Sequence, residues 1–170
     1  MDPYLAIASK RDERAYADTP IPAEARQRIL DAGRLSGSSQ NRQRWEFVVV
    51  SGPAKARLAE AVYAPENVAS AALVVAIVGE AGAFDTGRCA QNMMLGAWGD
   101  GVVSCPNGVR DAEAAAEICG GEVRAILSFG YPARPRDAAS RSAEEWSARA
   151  NRKPLSELVR EVDQTREPER

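Results

Sequence analysis

The sequence predicts an α+β domain, and three observations carry the prediction. Residues 45–50 (WEFVVV), 72–78 and 122–129 are short runs rich in β-branched and aromatic residues, the composition of strands. Between them stand segments with apolar residues at helical intervals, clearest over residues 84–98. The order of the two kinds of segment is mixed, which is the α+β pattern. A length of 170 residues suits one domain spanning 1–170.

Taken in order, Tyr4, Leu5 and Ile7 open a short segment without a clear period, and the charged run KRDER follows at 10–14. Thr19-Pro20-Ile21-Pro22 reads as a helix entry, because proline in a first turn lacks only an N–H that would have no partner there. Ala25, Ile29, Ala32 and Gly33 then keep helical spacing to about Leu35. Residues 36–41 (SGSSQN) are small and polar, with side chains that bond locally to backbone, so they read as a tight loop. The strand at 45–50 ends at Ser51-Gly52-Pro53, which opens a helix with Leu58, Ala61 and Val62 on one side. Residues 72–78 are apolar without alternation, as in a central strand buried on both faces. The helix over 84–98 carries Met93, Met94, Leu95 and Trp98 and stops near Gly99 and Gly101. A short strand over 102–104, an Ala-rich helix over 111–119 ending at Gly120-Gly121, and the strand over 122–129 follow. Residues 130–153 are rich in Pro, Arg and Ser, extended or partly helical, and a short helix over 155–162 comes last.

Lys and Arg number 22 and Asp and Glu 24, a formal net charge of −2, too close to neutral to favour a nucleic-acid or membrane partner. The chain has no histidine, which removes the commonest general base and metal ligand together with Ser/His/Asp and Cys/His nucleophiles. Cys89, Cys105 and Cys119 lack paired metal-ligand spacing, and the Met1 end has no basic-then-apolar leader. These features predict free thiols and a cytoplasmic location. The longest apolar stretch, residues 69–79, falls well short of the ~20 residues of a membrane span.

On charge alone, Lys10, Arg11 and Arg14, with Arg152 and Lys153 at the other end of the chain, read as solvated surface, and the SGSSQN loop reads as a turn. The alternative is that the two clusters share one phosphate, which an arginine fork and a lysine point charge would suit. The joint order of segments favours the alternative. KRDERAY at 10–16 is followed by Asp18 and Pro20-Ile21-Pro22, then by GSSQNRQRWEF at 37–47, GYP at 130–132 and RKPL at 152–155. In this order and spacing the chain resembles the nitroreductase family of FMN-binding oxidoreductases over nearly its whole length.

The resemblance implies a central mixed, mainly antiparallel sheet flanked by helices, in an intertwined homodimer with FMN at the interface. Residues from about 130 to 170 would be an extension packing on the partner. Lys10 and Arg11 would hold the FMN phosphate, completed by Arg152 and Lys153, and Arg14 would lie near the pyrimidine edge. Ser38, Ser39 and Asn41 would reach in from the partner subunit, and Asn67 is a candidate for the pyrimidine side. Pro106-Asn107-Gly108 would be a loop whose backbone N–H groups face flavin N5 and O4. NADH or NADPH would deliver hydride to the flavin, and a small-molecule acceptor such as a nitro compound or quinone would then take its place, in ping-pong order. No side chain need be catalytic, since the cofactor carries the chemistry. Arg14 would stabilise negative charge on the reduced ring. The same resemblance leaves room for an enzyme of one biosynthetic intermediate, a flavin-binding protein without turnover, or a deazaflavin in place of FMN.

Three departures from the family pattern have physical meaning. Asp12 stands where the family has Ser, and a carboxylate beside a phosphate is expected to orient Arg11 or Arg14 instead. Arg44 replaces Pro before Trp45. The chain is short for the family, so helices that wall the substrate channel are expected to be reduced. Cys89 and Cys105 read as ordinary buried thiols, and Met93, Met94 and Trp98 as core or dimer contacts. Trp146, with Tyr131, is expected to pack the C-terminal arm on the partner or to lie in a surface loop. Asp85 and Gln91 would face the flavin loop, or else cap a helix and meet solvent.

Overall fold

The most apolar run of the chain forms an inner strand of a four-stranded sheet. In the computed structural model, which describes residues 1–162, the strands are β1 (Glu46–Val50), β2 (Leu73–Val78), β3 (Val103–Asn107) and β4 (Val123–Gly130), in the order β1-β2-β4-β3. The helices are α1 (Pro3–Ser9), α2 (Ala23–Arg34), α3 (Gly52–Glu60), α4 (Pro65–Ala69), α5 (Ala83–Gly99), α6 (Ala112–Cys119), α7 (Ala143–Arg149) and α8 (Leu155–Leu158).

Every residue of β2 is buried because both faces of the sheet are covered. Alternate side chains go to opposite layers, as the two-residue period of a strand requires. Leu73, Val75 and Ile77 pack with Ile29 of α2 and with Met93 and Ala97 of α5. Val74, Ala76 and Val78 pack with Leu58 of α3, Val68 of α4 and Ala115 of α6. The register Val49↔Val75↔Leu127 carries the first layer across three strands.

The α+β class is as the sequence predicts, with two differences in the sheet. All three strand pairs are antiparallel rather than mixed; the parallel contact is an isolated bridge, Asp12↔Ser104, on the outer side of β3. β3 also runs on to Asn107, so Pro106 and Asn107 lie in a strand rather than a loop. β3 pairs with β4 alone among the named strands, and such an edge tolerates a proline that has no N–H to give.

Helix boundaries differ for local reasons. α3 ends at Glu60, so Val62, expected on its apolar side, instead bridges Val109. α1 is capped by the Asp2 carboxylate, which accepts from Leu5 N, with Pro3 in its first turn. α7, inside the stretch expected to be extended or partly helical, begins with a reciprocal capping box between Ser142 and Glu145. Asp111 caps α6, and Gly120 ends it in the left-handed conformation at φ 74°. No helix among the described residues is long and apolar enough to cross a membrane.

Candidate functional site

The site is laid out by the segment between α1 and α2, which runs beside the open edge of β3. Glu13 N donates to Ser104 O at 3.1 Å, Ala133 N to Ala15 O at 3.0 Å and Ala17 N to Tyr131 O at 2.8 Å. Pinned this way, Lys10, Arg11 and Asp12 line a cleft of about 510 Å³ with Met94, Pro106 and Arg152. Arg14 lines a second cavity of about 340 Å³ with Tyr63, Glu66, Asn67, Asn107 and Gly108, and Pro106 belongs to both. Two cavities walled in common by Pro106 thus follow the N-terminal segment, each within the range of small-molecule and cofactor sites.

The first cavity is the cationic one, with Lys10, Arg11 and Arg152 against the single carboxylate of Asp12. The Lys10 side chain is only 9% exposed, and its ammonium sits 2.5 Å from Asp12 Oδ1. A nearly buried ammonium needs such a partner. Asp12 therefore pairs with Lys10, not with Arg11 or Arg14 as expected from sequence. Met94 Sδ lies 3.4 Å from the same ammonium, so this core methionine also walls the cleft. Arg152 is exposed and lines the cleft; Lys153, next to it, is exposed and lies outside both cavity walls.

The second cavity is built on the ends of β3 and β4. The Arg14 guanidinium is solvent-facing and held above its usual pKa, chiefly by hydrogen bonding with the Cys105 thiol beside it, with Asp12 and Tyr16 adding to the effect. Asn67 is buried in the middle of α4. Asn107 Nδ2 donates to Cys105 O at 3.1 Å and to Ser128 Oγ at 3.0 Å, which leaves its buried Oδ1 as an acceptor with no protein partner. Tyr16 OH meets the same Ser128 Oγ at 2.8 Å, and burial pushes the phenol up to about 12. Gly108 O accepts from Tyr63 N at 3.0 Å. A side chain at Gly108 would begin 3.1 Å from the Tyr63 ring, which would have to give by a few tenths of an ångström. Pro106 has no N–H, so the backbone donors of this stretch are confined to Asn107 and Gly108.

The serine–asparagine loop lies elsewhere on the protomer. Ser38 Oγ accepts from Gln43 N at 2.9 Å and Asp85 accepts from Ser39 N at 3.0 Å, so the loop is braced on itself and on the start of α5. Gln40, Asn41 and Gln43 have φ of 53°, 53° and 47°. Non-glycine residues adopt this left-handed region at a cost and cluster there at functional loops. Ser38 and Ser39 border a separate cavity of about 200 Å³ with Arg44 and Glu80, and none of Ser38, Ser39 and Asn41 lines the two cavities of the N-terminal segment in its own chain.

The comparisons with known proteins agree on one architecture. The nitroreductase family's sequence profile matches residues 7–82, the stretch that contains both charged and serine-rich motifs. A nitroreductase-like protein of Desulfovibrio desulfuricans, solved in complex with FMN, is 25% identical; the alignment covers 96% of this chain and 98% of that one, with a TM-score of 0.77. This is the nitroreductase fold. A nitroreductase family protein of Clostridium difficile 630 shares it at 22% identity, 94% and 98% coverage and a TM-score of 0.78. So does a Parabacteroides distasonis protein assigned as NADH dehydrogenase/NAD(P)H nitroreductase, at 21% identity, 80% and 90% coverage and a TM-score of 0.74. No curated protein matches the chain. The resemblance read from the motifs is borne out by the family profile over residues 7–82 and by the fold over nearly the whole chain.

Against that fold, the sequence reading missed the walls contributed by α1 and α7. Tyr4, Ile7 and Ala8 line the cationic cleft from one side and Ser147 and Ala150 from another. Local signals for both helices are present, Asp2-Pro3 for α1 and Ser142-x-x-Glu145 for α7. Nothing local could have found Tyr63, which reaches the site only because its strand-like turn pairs with Gly108 and Val62 with Val109.

Proposed function

We propose that this nitroreductase-fold chain is a cytoplasmic, homodimeric FMN-dependent oxidoreductase that takes hydride from NADH or NADPH and passes it to a small acceptor such as a nitro compound or quinone. The observation that carries the reading is the pair of neighbouring cavities that share Pro106 as a wall. One end gathers cations from both ends of the chain, Lys10, Arg11 and Arg152, and the other presents Arg14, Asn67, Asn107 and Gly108. A molecule with an anionic phosphate at one end and a polar heterocycle at the other fits that division of donors, and the unsatisfied Asn107 Oδ1 marks a place where the heterocycle end offers an acceptor. When bound, FMN would supply the ring that accepts and releases hydride.

The protein's part is positioning and charge. Lys10 and Arg152 would meet the phosphate, with the Asp12 carboxylate holding Lys10 in place. Arg14, cationic at every working pH, would stabilise negative charge on the pyrimidine side of the ring. The Asn107–Gly108 backbone would face the ring's other polar edge. Ser38, Ser39 and Asn41, braced in a strained loop away from their own cleft, would serve the cleft of the second subunit.

The test is the absorption spectrum of the purified chain, an FMN titration, and anaerobic addition of NADH or NADPH. Bound yellow chromophore, released intact as FMN and bleached by the nucleotide, is the expected result. A colourless protein whose addition leaves FMN fluorescence unchanged would refute the reading. Bound flavin that no nicotinamide bleaches would identify a flavin-binding protein without turnover.

A further inference from the structure

Arg11 spends its guanidinium on the fold. Both Nη1 hydrogens are taken, by Ala8 O and Lys10 O, each at 2.7 Å, and Nη2 donates to Trp146 O at 3.0 Å. The end-on fork by which an arginine grips a phosphate needs a free hydrogen on each terminal nitrogen, and Nη1 has none to offer. Arg11 also lies 6.0 Å from the centroid of the Trp146 ring, and Arg141 lies 4.9 Å from the same ring. The indole N–H of Trp146 donates in turn to Ala138 O at 2.9 Å.

The start of the segment is held separately, by Ala138 buried against Trp98 and Val103 and by the Arg136–Glu13 ion pair, whereas α7 beyond it lies on the surface. α7 has seven residues and none of them is buried, and a helix so short does not persist in water by itself. Yet this segment brings Ser147, Ala150 and Arg152 to the cationic cleft. We propose that Arg11 is a positioning residue, a clasp on Trp146 that holds residues 138–152 against α1 and so fixes Arg152 at the cationic end of the cleft. The clasp rests on the geometry alone; its effect on cofactor retention rests on the FMN reading above.

The experiment compares the full-length chain with Arg11→Lys, which keeps the charge but gathers its donors on one nitrogen instead of the two that reach the three carbonyls, and with Trp146→Leu, which leaves every cationic side chain in place. Amide hydrogen exchange of the FMN-free proteins is read over 143–150 and over the sheet at 74–77, and FMN affinity is read by fluorescence quenching. Both variants are expected to exchange at least tenfold faster over 143–150 with the sheet unchanged, and to bind FMN at least fivefold more weakly. Unchanged exchange over 143–150 in either variant overturns the clasp, and so does wild-type FMN affinity in Trp146→Leu. If the wild-type chain binds no FMN, the cofactor reading falls, and the exchange data still decide the clasp.

Discussion

Tyr16 joins more of the site than any other single side chain. It packs on the Gly130 backbone so closely that a Cβ there would lie 2.7 Å from its ring, it bridges Pro132, and its hydroxyl meets Ser128, which in turn holds Asn107. Removing that hydroxyl in Tyr16→Phe should cost about 1 kcal/mol, read as a fall in thermal midpoint of about 2–4 °C for a domain of this size. Its pKa is raised by burial from 10.0 to about 12, so the folded state keeps the proton when the unfolded chain has lost it. Stability from this group is therefore complete below pH 10 and lost as pH climbs toward 12, and alkaline titration of Tyr16→Phe should show a shallower decline than wild type. Arg14→Ala should weaken FMN binding at least tenfold while leaving the midpoint within about 1 °C, since the side chain is exposed; equal affinity in the two proteins would remove Arg14 from the site. Cys89, with burial pushing its thiol up to about 11, should resist a thiol reagent at pH 8 until denaturant is added.

At the scale of elements, legibility followed the strength of periodic pattern. β2 declared itself as a doubly covered strand because no polar residue interrupts LVVAIV, and α5 because Met93, Met94, Leu95 and Trp98 recur at helical intervals within 84–98. α1, α4 and α7 are each seven residues or fewer, too short for a period to register, and they are stabilised by caps and tertiary contacts. β3 runs three residues past the strand expected over 102–104, into the stretch that the resemblance implied to be a loop, and its edge position accommodates Pro106. Met93 of α5 is fully buried against the sheet, and Met93→Ala should cost about 2–5 kcal/mol, checked by denaturant midpoint; a loss under about 1 kcal/mol would mean the layer repacks freely.

At the scale of the molecule, the charged clusters at the two chain ends were legible as partners because their order matched a family pattern, and the structure brings Lys10 and Arg152 to one cleft. Side-chain direction was not legible. The commitment of Arg11 to backbone carbonyls, and of Asp12 to Lys10, depends on where α7 and Met94 fall in space. The extension beyond residue 130, expected to pack on the partner, docks through Trp146 on its own protomer as far as α7. Beyond it Leu155 and Leu158 of α8, and Val159 and Val162 in the extended chain after it, are all at least 60% exposed, apolar side chains that a second subunit would cover. Leu155→Asp with Leu158→Asp should shift the sedimentation profile toward the single-chain mass and release FMN; a dimer unaffected by both charges would put the interface elsewhere.

The parallel bridge at Ser104 has a bearing on how the protein fails. Residues 12–16, which deliver Arg14, also lie over the outer flank of β3, where carbonyl and amide groups would otherwise stand ready for a foreign strand. Damage to this short ribbon, by proteolytic nicking or by a proline at Glu13, would therefore do two kinds of harm at once. It would blind the chain to its ligand and uncover an adhesive seam along which intact molecules could polymerise.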